Sequence, residues 1–200
     1  TPIFLKYYTL MQNMKLLDEI KKEIMPDVSI LKKINEFTDL INSEIKKQRI
    51  KAICVPGGSV AKGTFLKGDF DVDLFVRFDY SYKDKDLSNL LGRVLKKFKP
   101  DILHGSRDYF QLKYSLNYEI VPVLAIKKPE QSLNVTDMSP LHVGWVKKHL
   151  KKGQEDEIRL AKKFCKSIGV YGAESYINGF SGHVLDILVI YYGSFIKFLQ

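Results

Sequence analysis

The sequence of 200 residues predicts an α+β fold, in which a small mixed sheet with helices on one side precedes an all-helical segment. Before residue 129, helical spacing of apolar residues alternates with short apolar runs bounded by glycine or proline. After Pro129 only helical spacing is found. We therefore predict an extension at residues 1–13, a first domain at residues 14–128 and a helical domain at residues 129–200.

The first predicted elements are helices, because their apolar residues recur three and four positions apart. One covers residues 14–24, and Pro26 ends it. A second begins after Ser29, whose side chain can cap it. Residues 52–55 are apolar and predict a strand that leads into the turn Pro56-Gly57-Gly58, followed by a short helix at residues 60–66.

A second strand is indicated by the alternation in residues 71–78, where one face is apolar and the other carries Asp71 and Asp73. The other predicted elements are a helix at residues 86–98, strands at residues 109–114 and 118–126, and helices at residues 140–151, 155–167 and 181–199. Pro122 favours an edge position or a bulge for its strand, because proline donates no ladder hydrogen bond.

The charge of the chain fits a polyanionic partner without proving one. Lys and Arg outnumber Asp and Glu by 32 to 23, which gives a net charge of +9. Such an excess suits a nucleic acid, and it equally suits a lysine-rich solvated surface. Two cysteines exclude a disulfide scaffold, and no signal peptide or membrane-spanning run is found. We expect a cytoplasmic protein that has buried free thiols and no membrane partner.

Gly57-Gly58-Ser59 is the first motif with chemical content. A glycine pair after a strand lets the backbone turn sharply and approach a ligand closely. Backbone N–H groups and the Ser59 hydroxyl can then hold phosphate oxygens, and Lys62 can add a cation one turn later. The spacing lacks the Gly-Lys-Ser/Thr of a Walker loop, so Walker-type chemistry is disfavoured.

Asp71 and Asp73 form the second motif. Their side chains point to the same face of the predicted strand, roughly 6–7 Å apart at the backbone. Paired carboxylates repel unless a cation lies between them, and Mg²⁺ prefers such oxygen ligands together with substrate phosphates. Taken alone, Asp-x-Asp is often an exposed strand face, and Gly-Gly-Ser is often an ordinary turn. Their succession favours metal-dependent phosphate chemistry.

From Gly58-Ser59, through eleven intervening residues, to Asp71-Val72-Asp73-Leu74, the sequence resembles the signature of the DNA polymerase beta-like nucleotidyltransferase superfamily. Within it, the sequence is more similar to the archaeal-type (class I) CCA-adding enzymes, or tRNA nucleotidyltransferases. Further similar strings are Ser139-Pro140-Leu141-His142, Gly169-Val170-Tyr171-Gly172-Ala173-Glu174, Gly179-Phe180-Ser181-Gly182 and Tyr192-Gly193-Ser194-Phe195. The resemblance implies a polymerase beta-like head with a small mixed sheet, followed by a helical central domain.

The resemblance also implies roles for individual residues. Asp71, Asp73 and Glu119 would be the catalytic metal ligands. The implied nucleotide-binding residues are Gly58, Ser59, Lys62, Ser139, His142, Lys162 and Tyr171. The family usually has Arg, Glu and Thr where Lys62, Asp71 and Ser139 stand. Without the resemblance, His142 would be taken as a helix surface residue, Lys162 as solvated and Tyr171 as a core aromatic.

Glu119 is the main departure from the family, which has Asp before an apolar–apolar–Pro string at this position. Glu is one methylene longer, so it can bind a metal ion or accept the proton of an RNA 3′ hydroxyl only with shifted geometry. A displacement of about 1 Å can cost on the order of a hundredfold in rate. Glu119 therefore serves the site, impairs it, or is merely a surface acid, and its kept acidity and position favour the first.

The implied activity is CCA addition, in which CMP and AMP from CTP and ATP are joined to the 3′ end of a tRNA or another RNA. Two Mg²⁺ ions would be the cofactors, and the family resemblance suggests a homodimer. Two other classes stay open. One is a different nucleotidyltransferase, such as a 2′–5′ oligonucleotide synthase-like enzyme or one with a small acceptor. The other is a non-catalytic nucleotide- or RNA-binding remnant.

Overall fold

The computed structural model describes residues 14–200, so the predicted extension at residues 1–13 lies outside the described residues. The chain divides into two compact units. A sheet unit comprises Val28–Gly63 and Phe70–His149. A helical unit comprises the residues up to Asp27, Thr64–Asp69 and Leu150–Gln200. The predicted domain boundary near residue 129 stays a prediction.

The predicted α+β class is confirmed. The helices are α1 (residues 14–24), α2 (Ile30–Lys47), α3 (Gly58–Lys62), α4 (Leu87–Leu95), α5 (Ser139–His149), α6 (Gln154–Ser167), α7 (Gly182–Tyr192) and α8 (Phe195–Leu199). The strands are β1 (Ala52–Pro56), β2 (Val72–Phe78), β3 (Asp101–Leu103), β4 (Tyr109–Lys113) and β5 (Asn117–Leu124). None of the described helices is both long and apolar enough to cross a membrane.

The five strands form one mixed sheet in the order β1-β2-β5-β4-β3. β2 pairs in parallel with β5, whereas the other neighbours are antiparallel. One face of the sheet is covered by α2 and α4, and Tyr118 of β5 packs against Phe37 of α2 with ring centroids 4.2 Å apart. Leu74 and Ile120 are fully buried on that face, so side chains one position away along each strand point to the opposite face.

Pro122 was predicted at an edge position or in a bulge, and the edge position is wrong, because β5 is the central strand of the sheet. β4 pairs with β5 only as far as Ile120, so β5 has no strand neighbour on that side at Pro122. The N–H of Leu124, two residues later, points to the same side and donates to the Asp137 carboxylate at 2.9 Å. The missing N–H of proline therefore removes no ladder hydrogen bond.

The helical unit has its own apolar core, formed where α1, α6, α7 and α8 meet. Its buried members are Ile24, Leu66, Ile158, Leu160, Ala161, Val189 and Phe195. The single helix predicted at residues 181–199 is wrong, because it breaks between α7 and α8. Gly193 adopts a left-handed φ of 91°, and the Ser194 side chain accepts a hydrogen bond from the backbone N–H of Lys197. This glycine therefore ends one helix while the serine caps the next.

Asp137 joins the end of β5 to the segment that leads into α5. It is fully buried, and its carboxylate accepts hydrogen bonds from the backbone N–H groups of Leu124, Leu133 and Asn134. Arg107 donates to the same carboxylate at 2.5 Å. Burial would raise the pKa of Asp137, but the hydrogen bonds from Arg107 and the backbone outweigh burial and lower this pKa.

We predict that Asp137→Asn lowers the free energy of unfolding by about 3 kcal/mol near pH 7, because it leaves the partly buried guanidinium of Arg107 without its counter-charge. A carboxyl whose pKa is lowered on folding stabilises the fold above its unfolded pKa of about 3.9, and this contribution disappears as the pH falls through the folded pKa. The difference between wild type and variant should therefore shrink below about pH 4. Urea unfolding at several pH values measures it.

The control for this prediction is Asp39→Asn, on the exposed side of α2. It should change the free energy of unfolding by less than about 0.5 kcal/mol. Equal effects of the two substitutions at pH 7 would contradict the role assigned to Asp137.

Candidate active site

The turn between β1 and α3 approaches β2 unusually closely. The backbone N–H of Gly57 donates to the carbonyl of Asp73 at 2.8 Å. A Cβ atom at Gly57 would overlap the ring of Phe75, and a Cβ atom at Gly58 would overlap the carboxylate of Asp73. Gly58 also has a φ of 49°, in the left-handed region. Only glycine fits both positions, because the turn lies directly against β2, and the predicted close approach of this backbone to a ligand stays a prediction.

Ser59 stands directly after this glycine pair, in the first turn of α3, and is half-buried. Lys62, at the end of the same helix, is only 9 % exposed, and its implied contact with the nucleotide stays a prediction. α3 packs against α5, which begins at Ser139 and carries His142 one turn later. The two helices that carry five of the seven implied nucleotide-binding residues, Gly58 included, are thus next to each other in the sheet unit.

Asp73 and Glu119 are neighbours in the sheet. They are register partners in the parallel pairing of β2 with β5, so their side chains stand side by side on the face opposite α2 and α4. Asp71 precedes the first residue of β2 and is exposed. It lines a cavity of about 270 Å³ together with Glu119, Asp101 and Lys113. The three predicted carboxylates therefore lie at one end of β2 and β5.

Glu119 has a second partner on its other side. Gln111 of β4 is its antiparallel register partner, and the Gln111 side-chain amide donates to Glu119 Oε1 at 2.9 Å. Burial raises the pKa of Tyr109 on the same face, and the negative charge of Glu119 raises it further. Gln111 was not predicted, because no motif marks it and only the sheet register places it beside Glu119.

The donor set of the carboxylates suits a hard divalent cation such as Mg²⁺, which prefers oxygen ligands. Asp73 and Glu119 are placed to share an ion between adjacent strands, with Asp71 at the rim of the same cavity. Within residues 14–200, however, no three side chains of Asp, Glu, His or Cys converge on one point as they stand. A complete ligand set would therefore need a change in the side-chain conformation of Asp71 or Glu119, both of which line the cavity.

Lys162 and Tyr171, the other two implied nucleotide contacts, belong to the helical unit. Both lie against Gly182, where a Cβ atom would come within 2.7 Å of the Tyr171 hydroxyl and 3.7 Å of Lys162 Cε. Lys162 is 3 % exposed and forms an ion pair with the fully buried Asp186 at 3.3 Å. Tyr171 is half-buried, and Lys166 Nζ lies 5.0 Å from its ring centroid. The structure therefore places these two residues together.

Two family models match this chain. The nucleotidyltransferase domain matches residues 38–142, and the second domain of tRNA nucleotidyltransferase matches residues 156–200. The first match covers more than half of the chain and includes Gly58, Asp73 and Glu119.

Among curated proteins, the chain is similar to CCA-adding enzymes. It is 48 % identical to that of Nanoarchaeum equitans over 147 residues, which is 72 % of this chain and 37 % of the relative. It is 36 % identical to that of Sulfurisphaera tokodaii over 190 residues, which is 92 % of this chain and 45 % of the relative. The chain thus spans less than half the length of these relatives.

Solved structures with the same fold include RNA-extending enzymes. A Cid1 poly(U) polymerase bound to magnesium and 3′-dATP superimposes with a TM-score of 0.67 at 19 % identity, covering 90 % of this chain and 55 % of that chain. A cytoplasmic RNA terminal U-transferase gives 0.65 at 20 % identity, covering 89 % and 50 %. These similarities concern the fold alone.

We predict that Gly58→Ala weakens the binding of Mn²⁺, a probe for the carboxylate site, by about tenfold or more, because its methyl group displaces Asp73. Calorimetric titration measures the affinity. Gly63→Ala is the matched control: Gly63 also has a left-handed φ, 70°, but its Cβ atom would meet nothing within 4 Å. Both variants should lose about 1 kcal/mol of stability. Equal Mn²⁺ affinity in the two variants would contradict the role of Gly58.

Proposed function

Because this chain belongs to the nucleotidyltransferase domain family, we propose that it transfers a nucleoside monophosphate from a nucleoside triphosphate to the 3′ end of an RNA. The observation that carries this proposal is the register pairing of Asp73 with Glu119 beside the Gly57-Gly58-Ser59 turn. This arrangement joins a carboxylate pair to a backbone that lets a phosphate approach closely.

We further propose that the acceptor is a tRNA, and that CMP and AMP are added from CTP and ATP. The similar proteins over most of this chain are CCA-adding enzymes, and the second family model is a tRNA nucleotidyltransferase domain. A net charge of +9 suits a polyanionic acceptor. Such a reaction belongs in the cytoplasm, and a homodimer stays a prediction.

The proposed mechanism is an in-line attack of the RNA 3′ hydroxyl on the α-phosphate, with pyrophosphate as the leaving group. Asp71, Asp73 and Glu119 would hold two Mg²⁺ ions, which supply neutralisation of the charge on the phosphates. The Ser59 hydroxyl can donate a hydrogen bond to a phosphate oxygen, and the Glu119 carboxylate can accept the hydroxyl proton. The chain would position the reactants without forming a covalent intermediate.

We also propose that the nucleotide is contacted by the remaining residues that the resemblance implies: Gly58, Lys62, Ser139, His142, Lys162 and Tyr171.

The second candidate function is binding of nucleotide or RNA without turnover. Two observations favour it. Glu119 stands where the resemblance implies Asp, and within residues 14–200 no three side chains of Asp, Glu, His or Cys are close enough together to hold a metal ion. A binding domain would retain affinity for nucleotides but would not extend any RNA.

We predict that the chain extends a tRNA lacking its CCA end when it is incubated with Mg²⁺ and labelled CTP or ATP. The double variant Asp71→Ala/Asp73→Ala should abolish extension, because it removes two of the three carboxylates. Asp79→Asn is the matched control, since this exposed aspartate directly follows the other end of β2. Gel analysis of the labelled RNA measures extension.

Three outcomes of this assay decide between the candidates. Extension that Asp79→Asn keeps and the double variant loses supports transfer chemistry. Metal-dependent nucleotide binding without extension supports the binding domain. Neither binding nor extension contradicts both candidates.

We predict that Glu119→Gln lowers the extension rate by about a hundredfold or more, because it removes a negative ligand and proton acceptor but keeps the side-chain length. Glu119→Asp should stay within about tenfold of wild type, since it keeps the acidity and restores the residue that the resemblance implies at this position. Single-turnover kinetics measure both rates. A Glu119→Gln variant as fast as wild type would show that Glu119 is only a surface acid.

A further inference from the structure

The segment Thr64–Asp69 connects α3, which carries Ser59, to β2, which carries Asp73. A single residue, Gly63, separates it from α3, and a single residue, Phe70, separates it from Asp71. Although none of its residues belongs to a helix or a strand, Thr64, Phe65 and Leu66 are all at most 3 % exposed. Something other than secondary structure therefore holds this segment in place.

The segment is held by one face of α6. Arg159, Lys162 and Lys166 are spaced by three and four positions and thus lie along the same side of that helix. Arg159 Nε donates to the Phe65 carbonyl at 3.1 Å, and Lys166 Nζ pairs with Asp69 Oδ1 at 2.5 Å. Leu66 packs into the apolar core of the helical unit. Every one of these contacts lies within the helical unit.

Lys162 makes the most deeply buried of these contacts. Its ammonium donates to the Thr64 hydroxyl at 2.9 Å and lies 3.4 Å from the Thr64 carbonyl. Asp186 of α7 supplies the opposite charge at 3.3 Å, and both Thr64 and Asp186 are fully buried. A buried ammonium needs a counter-charge and hydrogen-bond acceptors. Thr64 therefore supplies the hydrogen-bond acceptors for the Lys162 ammonium, and Asp186 supplies its counter-charge.

We propose that Thr64 and Asp186 are positioning residues for the nucleotide. Through Lys162 they anchor the segment Thr64–Asp69, and the anchored segment fixes the residues that precede and follow it in the chain. This inference rests on the proposed function. The anchored segment restrains two neighbouring pieces of the chain, the end of α3 and the start of β2. A loosened segment gives Lys62 and Asp71 more freedom, and misplacements of about 1 Å are costly at such sites.

Thr64→Val tests this anchor, because valine has the shape of threonine but no hydroxyl to accept from Lys162. We expect the affinity for Mg²⁺-ATP to fall by about tenfold to a hundredfold. Hydrogen exchange should become faster in residues 57–73 and stay unchanged in α6 and α7. Thr64→Ser, which keeps the hydroxyl, should restore both affinity and exchange.

Thr38→Val is the matched control, since Thr38 is also buried and its hydroxyl donates to the Ile34 carbonyl at 2.8 Å within α2. It should leave ATP affinity unchanged. Equal effects of Thr64→Val and Thr38→Val on affinity would overturn the proposal, because general destabilisation would then explain both. Unchanged exchange in residues 57–73, or faster exchange throughout α6 and α7, would also overturn it. If wild type extends no RNA, the proposed function fails, and the exchange data still decide whether Thr64 anchors the segment.

Discussion

The parallel pairing of β2 with β5 places Asp73 and Glu119 side by side, although they are 46 positions apart in the sequence. Because side chains alternate along strands, a shift of one residue in this register would turn one of them into the helix-covered face. Leu74 and Ile120 prevent that shift, since both must remain buried beneath α2 and α4. The hydrophobic core thus fixes the geometry of the candidate site.

The approach of the glycine turn to β2 adds a second constraint of the same kind. Gly57 and Gly58 leave no space for side chains, so the Asp73 carboxylate rests against the backbone at the start of α3. The backbone N–H of Gly57 also bonds to the Asp73 carbonyl. Asp73 is therefore held in place by the glycine turn as well as by the register of the sheet.

The sequence predicted the helices and strands that follow from the periodicity of apolar residues. It missed the features that depend on contacts with other parts of the fold. β1, β2, β4, β5 and the main helices follow from spacing of apolar residues. β3 was missed because two of its three residues are exposed and carry no alternation that could be recognised. The position of Pro122 was misjudged because only tertiary structure shows where β4 stops. Likewise, the motif located Asp73 and the family resemblance located Glu119, but neither could reveal Gln111.

Lysines show why a motif does not specify an environment. Lys62 and Lys162 were both assigned to a nucleotide from the sequence, where a lysine is by default a solvated cation. Both are nearly buried. For Lys162 the reason is visible: Asp186, 24 positions away, and Thr64, 98 positions away, surround its ammonium. Because its ammonium is held between Thr64 and Asp186, Lys162 does not have to be reordered to keep the neighbouring segment in place. A solvated lysine has no such fixed partners, so it could not hold that segment.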